Sequence, residues 1–248
     1  MVKLISAAAT DIGLLRSNNE DAYLVMPEAG FFVISDGMGG AAAGEIASRY
    51  FIETAQAVFR SRAPSSSETN HELVRKIFRR SNERIFEHTA RYPDDEGMGC
   101  TADLLVFDGD RYVIGHAGDS RIYVLREGVL QQLTKDHSFV QRLVDSGTLT
   151  PEEAKHHPRK NIIMQALGID PSVSFDILEG AGLSHDIFLL CTDGLTDMVA
   201  DSAIQHILVS SLSIQQKVKE LIAAAIAAGG RDNVTVVLCE INTNQDSA

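Results

Sequence analysis

The sequence predicts a single mixed α/β domain with many strands, and three observations carry that expectation. Short apolar runs with β-branched and aromatic content recur along the chain, among them Phe31-Phe32-Val33-Ile34, Phe188-Leu189-Leu190-Cys191 and Val234-Thr235-Val236-Val237. Between them lie longer segments whose apolar residues return every three or four positions, as on one face of a helix. No internal repeat and no interdomain linker divides the 248 residues, a length near the upper size of one hydrophobic core.

Taken in order, residues 4–26 alternate weakly and hold the polar stretch Arg16-Ser17-Asn18-Asn19-Glu20-Asp21 between two strand candidates. Phe31 to Ile34 reads as a buried strand that ends at Ser35-Asp36-Gly37-Met38-Gly39-Gly40, where the glycines are expected to stop regular structure. A helix is expected over about 44–60, with Ile46, Tyr50, Phe51, Thr54 and Val58 on one face. The Pro/Ser loop at 63–67 separates it from a second helix at about 69–91, carrying Leu73, Ile77, Phe78, Ile85 and Phe86. An acidic loop follows at 93–99. Residues 101–133 read as a meander of strands turning at Asp108-Gly109-Asp110, Gly118-Asp119-Ser120 and Glu127-Gly128.

Residues 134–170 break the strand rhythm with helical sequence at 137–146 and a helix start at Thr150-Pro151-Glu152-Glu153, so a helical flap is expected there. Strands return at 173–178 and 187–191. Helices are expected at 201–210 and 214–228, the second stopped by Gly229-Gly230, and a last strand at 234–241. The domain is expected to span 1–242, with a short polar tail at 243–248.

Hydrophobic residues make up 44% of the chain and charged residues 23%, as in ordinary soluble domains. A formal charge of −12 disfavours a phosphate-backbone surface, so no nucleic-acid partner is expected. No apolar run approaches the length of a membrane span, and neither a signal nor an anchor is expected at the ends. A cytoplasmic, monomeric protein without a membrane partner is the expectation. Cys100, Cys191 and Cys239 are widely spaced, fit no zinc pattern and read as reduced, buried thiols.

The distinctive feature is the placement of carboxylates at strand ends. Phe32-Val33-Ile34-Ser35-Asp36-Gly37 and Phe188-Leu189-Leu190-Cys191-Thr192-Asp193-Gly194 share the order apolar run, hydroxyl residue, Asp, Gly, and Asp232 immediately precedes the last strand. An Asp at the tip of a buried strand has little rotameric freedom, and an adjoining Gly lets a backbone carbonyl turn inward as a hard oxygen donor. Mg²⁺ and Mn²⁺ favour such oxygen ligands. Asp-Gly is also a common turn dipeptide, so spacing alone leaves a metal site and plain turns both open.

Six motifs, Arg16 to Asp21, Asp36 to Gly40, Gly97-Met98-Gly99-Cys100-Thr101, Gly118-Asp119-Ser120-Arg121, Cys191-Thr192-Asp193-Gly194-Leu195 and Arg231-Asp232-Asn233-Val234-Thr235, occur in the order found in a known family. They cover the chain from about Ala7 to Glu240, and together the sequence resembles the bacterial metal-dependent (PPM, type 2C) protein phosphatases. That resemblance implies an α+β fold, a four-layer αββα sandwich of two mainly antiparallel sheets flanked by helices, with a metal cleft at one end. It implies that Asp36 bridges two Mn or Mg ions and that Asp193 and Asp232 complete the first. The Gly37 carbonyl would bind the second, with Glu20 in support. Asp119 with Asp193 matches the pair that holds a third, weaker ion, and Arg16 matches the arginine that grips the substrate phosphate.

Two departures stand out. Some relatives carry His after the Asp-Gly pair as a candidate general acid; here it is Met38, which delivers no proton, and none of His137, His156 and His157 is assigned that role. Asp103 lies in a strand where relatives are apolar, and an edge or outward position is expected for it. The run Arg75-Lys76 with Arg79-Arg80 reads as a solvated helix face.

The function implied is a protein serine/threonine phosphatase whose metal-activated water attacks phosphoserine and phosphothreonine, opposing a serine/threonine kinase and acting on its targets. A phosphatase-like scaffold without turnover, and a two-metal phosphatase of small phosphoesters, are the alternatives. Retention of Asp36, Gly37, Asp193 and Asp232 weighs against the scaffold.

Overall fold

The computed structural model describes residues 3–39, 43–62 and 68–242. Gly40, the loop at 63–67 and the tail at 243–248 lie outside the described residues. Along the chain come β1 (Lys3–Asp11), β2 (Asp21–Met26), β3 (Phe31–Met38), α1 (Gly44–Arg60) and α2 (Asn70–Arg91). Next are β4 (Gly99–Cys100), β5 (Ala102–Asp108), β6 (Arg111–Ala117), β7 (Arg121–Arg126) and β8 (Val129–Gln132). α3 (Phe139–Asp145), α4 (Pro151–Lys155), β9 (Asp176–Ala181) and β10 (Ile187–Cys191) follow. The chain then forms α5 (Asp193–Thr196), α6 (Asp201–Val209), α7 (Ile214–Ala227) and β11 (Val234–Asn242).

The strands build two antiparallel sheets. One has the order β1-β11-β10-β7-β8, the other β2-β3-β5-β6-β9 with β4 paired to the end of β3. Period-two alternation sorts the side chains into layers. On β3, Phe31 and Val33 pack with Phe51 of α1 and Leu73, Ile77 and Phe78 of α2, whereas Phe32 and Ile34 turn inward to meet Phe188, Leu190 and Val237 of the other sheet. On β10 and β11, Leu189, Val236 and Leu238 pack beneath Ile204, Leu208, Val218 and Leu221 of α6 and α7. Strands covered on both faces explain why the apolar runs are continuous. The four-layer sandwich expected from the resemblance is the architecture found.

Local signals place the helix ends. Thr69 and Glu72 form a capping box at the start of α2, Thr150 and Glu153 another at α4 with Pro151 in its first turn, and Ser213 with Gln216 a third at α7.

Four expectations are corrected. The glycines after Ile34 do not end β3, which runs through Asp36 and Gly37 to Met38, because β4 supplies a partner with Gly37 opposite Cys100. The meander is broken at Gly118-Asp119-Ser120: β6 and β7 belong to different sheets, so this turn is a crossing. The strand expected at 173–178 is β9 at Asp176–Ala181, because pairing with β6 begins at His116 opposite Asp176, while Val173 and Phe175 pack against the helical layer and the Phe175 and Phe78 rings lie 4.6 Å apart. Asp103 is neither at an edge nor outward. It lies on β5 between β3 and β6, fully buried, with its carboxylate 2.8 Å from Nδ1 of His116, its directly opposed cross-strand partner.

Candidate metal centre

The middle layer opens at one end into a cleft of about 530 Å³. Arg16, Glu20, Asp36, Gly37, Asp119, Asp193 and Asp232 all line it. These residues span more than two hundred positions of sequence and come from both sheets. β3 contributes Asp36 and Gly37, the end of β10 leads into Asp193, and Asp232 lies two residues before β11. The β6–β7 crossing carries Asp119, and the 12–20 loop carries Arg16 and Glu20. Asn161 and Ile163 of the helical excursion form part of the wall.

The β3 tip is held from several sides. The Asp36 N–H donates to Thr101 Oγ1 at 2.8 Å, the Thr101 N–H returns a bond to the Asp36 carbonyl at 2.8 Å, and Thr101 Oγ1 lies 2.9 Å from Ser120 Oγ. These bonds leave the Asp36 carboxylate free of the task of orienting its own backbone. Gly37 is required by contact: a Cβ there would fall 2.1 Å from the Gly44 carbonyl oxygen, which no side chain tolerates. The first turn of α1 therefore rests backbone-to-backbone on the ligand-bearing strand.

Asn233 fastens the 12–20 loop. Its Nδ2 donates to the carbonyls of Ile12 and Asn18, each at 2.9 Å, and its Oδ1 accepts from the Glu20 N–H at 2.7 Å. A buried amide with these bonds filled is a rigid clamp. Arg16, carried on the same loop, donates to Asp232 Oδ2 at 2.6 Å with its side chain 48% exposed.

Beneath the cleft lies Asp21. Its Oδ2 accepts from Thr192 Oγ1 at 2.9 Å and Thr235 Oγ1 at 2.7 Å, whereas its Oδ1 is buried without a partner, as is Oδ1 of Asp193. Burial, offset in part by the two threonine bonds and reinforced by Asp193 and Asp232, pushes the Asp21 carboxyl up to about 7. Burial together with Asp197 and Asp232 pushes Asp193 up to about 6. Burial and the surrounding carboxylates hold Asp36 and Asp119 well above the usual carboxylate range. Half-buried acids and the buried Asp119 that repel one another, with orphaned oxygens among them, form a hard oxygen donor set matched to divalent cations. Among the described residues no three His, Cys, Asp or Glu side chains stand together closely enough to enclose a metal ion as they are placed; the acids are spread along the cleft wall.

Met38 lines the cleft, and among the described residues no histidine does. His137 instead faces Gly118 and Asp176, and His156 is solvent-exposed. Sequence reasoning left Asp21, Asn233, Thr192 and Thr235 without roles. Asp21 and Asn233 adjoin the candidate ligands Glu20 and Asp232, and that adjacency was the available signal.

A family model for protein phosphatase 2C matches residues 16–232. The chain is 41% identical over 239 residues to the serine/threonine protein phosphatase PstP of Mycobacterium tuberculosis, covering 95% of this chain and 44% of that protein. It thus spans about half the length of that relative. It is 36% identical over 240 residues to the serine/threonine phosphatase stp of Listeria welshimeri, covering 95% of each. The solved catalytic domain of PstP in complex with two manganese ions superposes with a TM-score of 0.88 at 38% identity, covering 98% of this chain and all of that one. With its motifs, its sandwich and its acid-lined cleft in agreement, the chain belongs to the protein phosphatase 2C family of metal-dependent serine/threonine phosphatases.

Proposed function

We propose that the cleft hydrolyses phosphoserine and phosphothreonine in proteins, opposing a serine/threonine kinase. The observation that carries this reading is the convergence of Arg16, Glu20, Asp36, Gly37, Asp193 and Asp232 in one cleft from both sheets. In this reading Asp36, Asp193 and Asp232 hold a binuclear centre of Mn or Mg with the Gly37 carbonyl and Glu20, and Asp119 with Asp193 holds a third, weaker ion. When bound, such ions supply Lewis-acid charge and a water of lowered pKa.

The chain's own groups do the rest. Arg16 offers a planar fork of donors to two phosphate oxygens, while one of its nitrogens, Nη2, is held by Asp232 Oδ2 at 2.6 Å. Asp36, fixed through Thr101, keeps the donor set in register while charge builds on phosphorus. Met38 offers no proton to the departing serine or threonine oxygen, so that proton comes from water in the open cleft. Asn161 and Ile163 put the 134–170 segment on the cleft wall, within reach of a bound phosphopeptide in this reading.

The test is phosphopeptide turnover in Mn²⁺ or Mg²⁺. Activity is expected to vanish with chelator and in Asp36→Asn or Asp193→Asn. Turnover that survives Asp36→Asn, or a metal-loaded protein that binds phosphoproteins without hydrolysing any, would refute the reading.

A further inference from the structure

Asp119 is reached through the turn that crosses from one sheet to the other. Gly118, just before it, has φ of +125°. A Cβ at Gly118 would lie 2.6 Å from side-chain carbons of Thr101, so the turn is pressed from that side by the residue that also steadies Asp36. From the other side both halves of Gly118 are held by one residue. Its carbonyl accepts from the His137 backbone N–H at 2.7 Å, and its N–H donates to Nδ1 of the His137 ring at 3.3 Å.

That second bond fixes the chemistry of the ring. Nδ1 accepts only if it carries a lone pair, so the proton sits on Nε2, which faces Asp176 Oδ2 at 3.2 Å. The ring lies tilted against His116, with centroids 4.6 Å apart and 34° between the planes. His116 is locked in turn between Asp103 at 2.8 Å and the Lys135 carbonyl at 2.9 Å. The buried Asp103–His116 pair thus braces the start of the 134–170 segment twice, through Lys135 and through the His137 ring. Burial, and then the neighbouring His116, hold the pKa of His137 below its ordinary value, which favours the neutral ring that the Gly118 bond needs.

We propose that His137 is a positioning residue for Asp119: its neutral Nε2–H form clamps Gly118 and so sets the reach of the Asp119 carboxylate toward Asp193. The clamp ties the start of the helical segment to the side of the cleft where a third cation would sit. This rests on the reading above that Asp119 and Asp193 share that weaker ion. No role in proton transfer is implied, since His137 does not line the cleft.

The test titrates further Mn²⁺ calorimetrically into the full chain already loaded with its two tight ions. Three variants separate the contacts. Asn at 137 can place its amide oxygen where Nδ1 sits, Gln can reach only toward the Nε2 position, and Asp119→Asn removes the ligand itself. His137→Gln is expected to weaken the third binding event about tenfold, the usual scale for groups that orient a ligand. His137→Asn is expected to stay close to the parent, and Asp119→Asn to abolish the event. The Mn²⁺ concentration for half-maximal phosphopeptide turnover should rise in step in His137→Gln, and long-range ¹H–¹⁵N spectra of the parent should show the His137 Nδ1 unprotonated.

A His137→Gln protein that binds the third ion like the parent, while Asp119→Asn does not, overturns the clamp. Equal weakening by Gln and Asn, parallel loss of the tight ions, or a proton on Nδ1 overturns it too. A third event untouched by Asp119→Asn would instead remove the shared-ion reading, and the proposal with it.

Discussion

Asp21 and Asp36 stand directly opposite each other in the antiparallel register of β2 and β3, two half-buried acids as cross-strand partners. Like charges in that position oppose folding unless a cation or a proton compensates them.

The pH dependence follows. The folded carboxyl of Asp21 titrates at about 7, far above the usual unfolded value. Its contribution to stability is therefore full below about pH 4 and is lost as pH rises from about 4 to about 7. In chelator, Asp21→Asn is expected to be more stable than the parent by about 1–3 kcal/mol at pH 8 and indistinguishable at pH 4. At roughly 2–4 °C per kcal/mol the difference is readable in thermal melts across pH. A parent whose metal-free melting temperature lies above that of the variant at pH 8 would contradict this.

Arg16 should matter to turnover and hardly at all to stability. Its pair with Asp232 is half-exposed, and such pairs contribute at most about 1 kcal/mol. Arg16→Lys keeps the charge and loses the fork, so kcat/KM for a phosphopeptide should fall about tenfold, and Arg16→Ala should lose more. Steady-state kinetics beside thermal melts of the same preparations separate the two effects.

Gly37→Ala should unfold or loosen the site outright. The new methyl group meets backbone, the Gly44 carbonyl at 2.1 Å, so either α1 or the β3 tip must shift. Overpacking of this kind costs about 1–3 kcal/mol or more. Denaturant titration should show the loss, and calorimetry should show weaker binding of the tight Mn²⁺ ions.

Asp103 and His116 should fail singly and be spared together. Removing one member of a fully buried ion pair leaves the other uncompensated, at a cost of about 3–5 kcal/mol. The double change Asp103→Leu with His116→Leu should cost less than the two single changes summed, by about 1–3 kcal/mol. A double-mutant cycle in urea measures the difference.

How far these features could be read in advance depends on whether their cause is local. Thr69, Thr150 and Ser213 carry their capping partners three residues on, and the helix starts they mark lie where expected. The acids at 36, 193 and 232 were legible because each adjoins an apolar strand. Partners distant in sequence were not. Asp103 needed His116 across a sheet, Asp21 needed Thr192 and Thr235 from the opposite layer, and β3 needed the two residues of β4 to continue past its glycines. The turn at Gly118 has the composition of a hairpin, and only the packing of two sheets makes it a crossing.

That crossing has a mechanical corollary. Asp36 hangs from one leaf of the sandwich, Asp193 and Asp232 from the other, and Asp119 from the strap between them. Ions gripped by all four would rivet the leaves at one end. Sliding one leaf over the other would then have to break coordination first, and metal would leave when the leaves part. Slow metal release and slow unfolding would be two readings of one event.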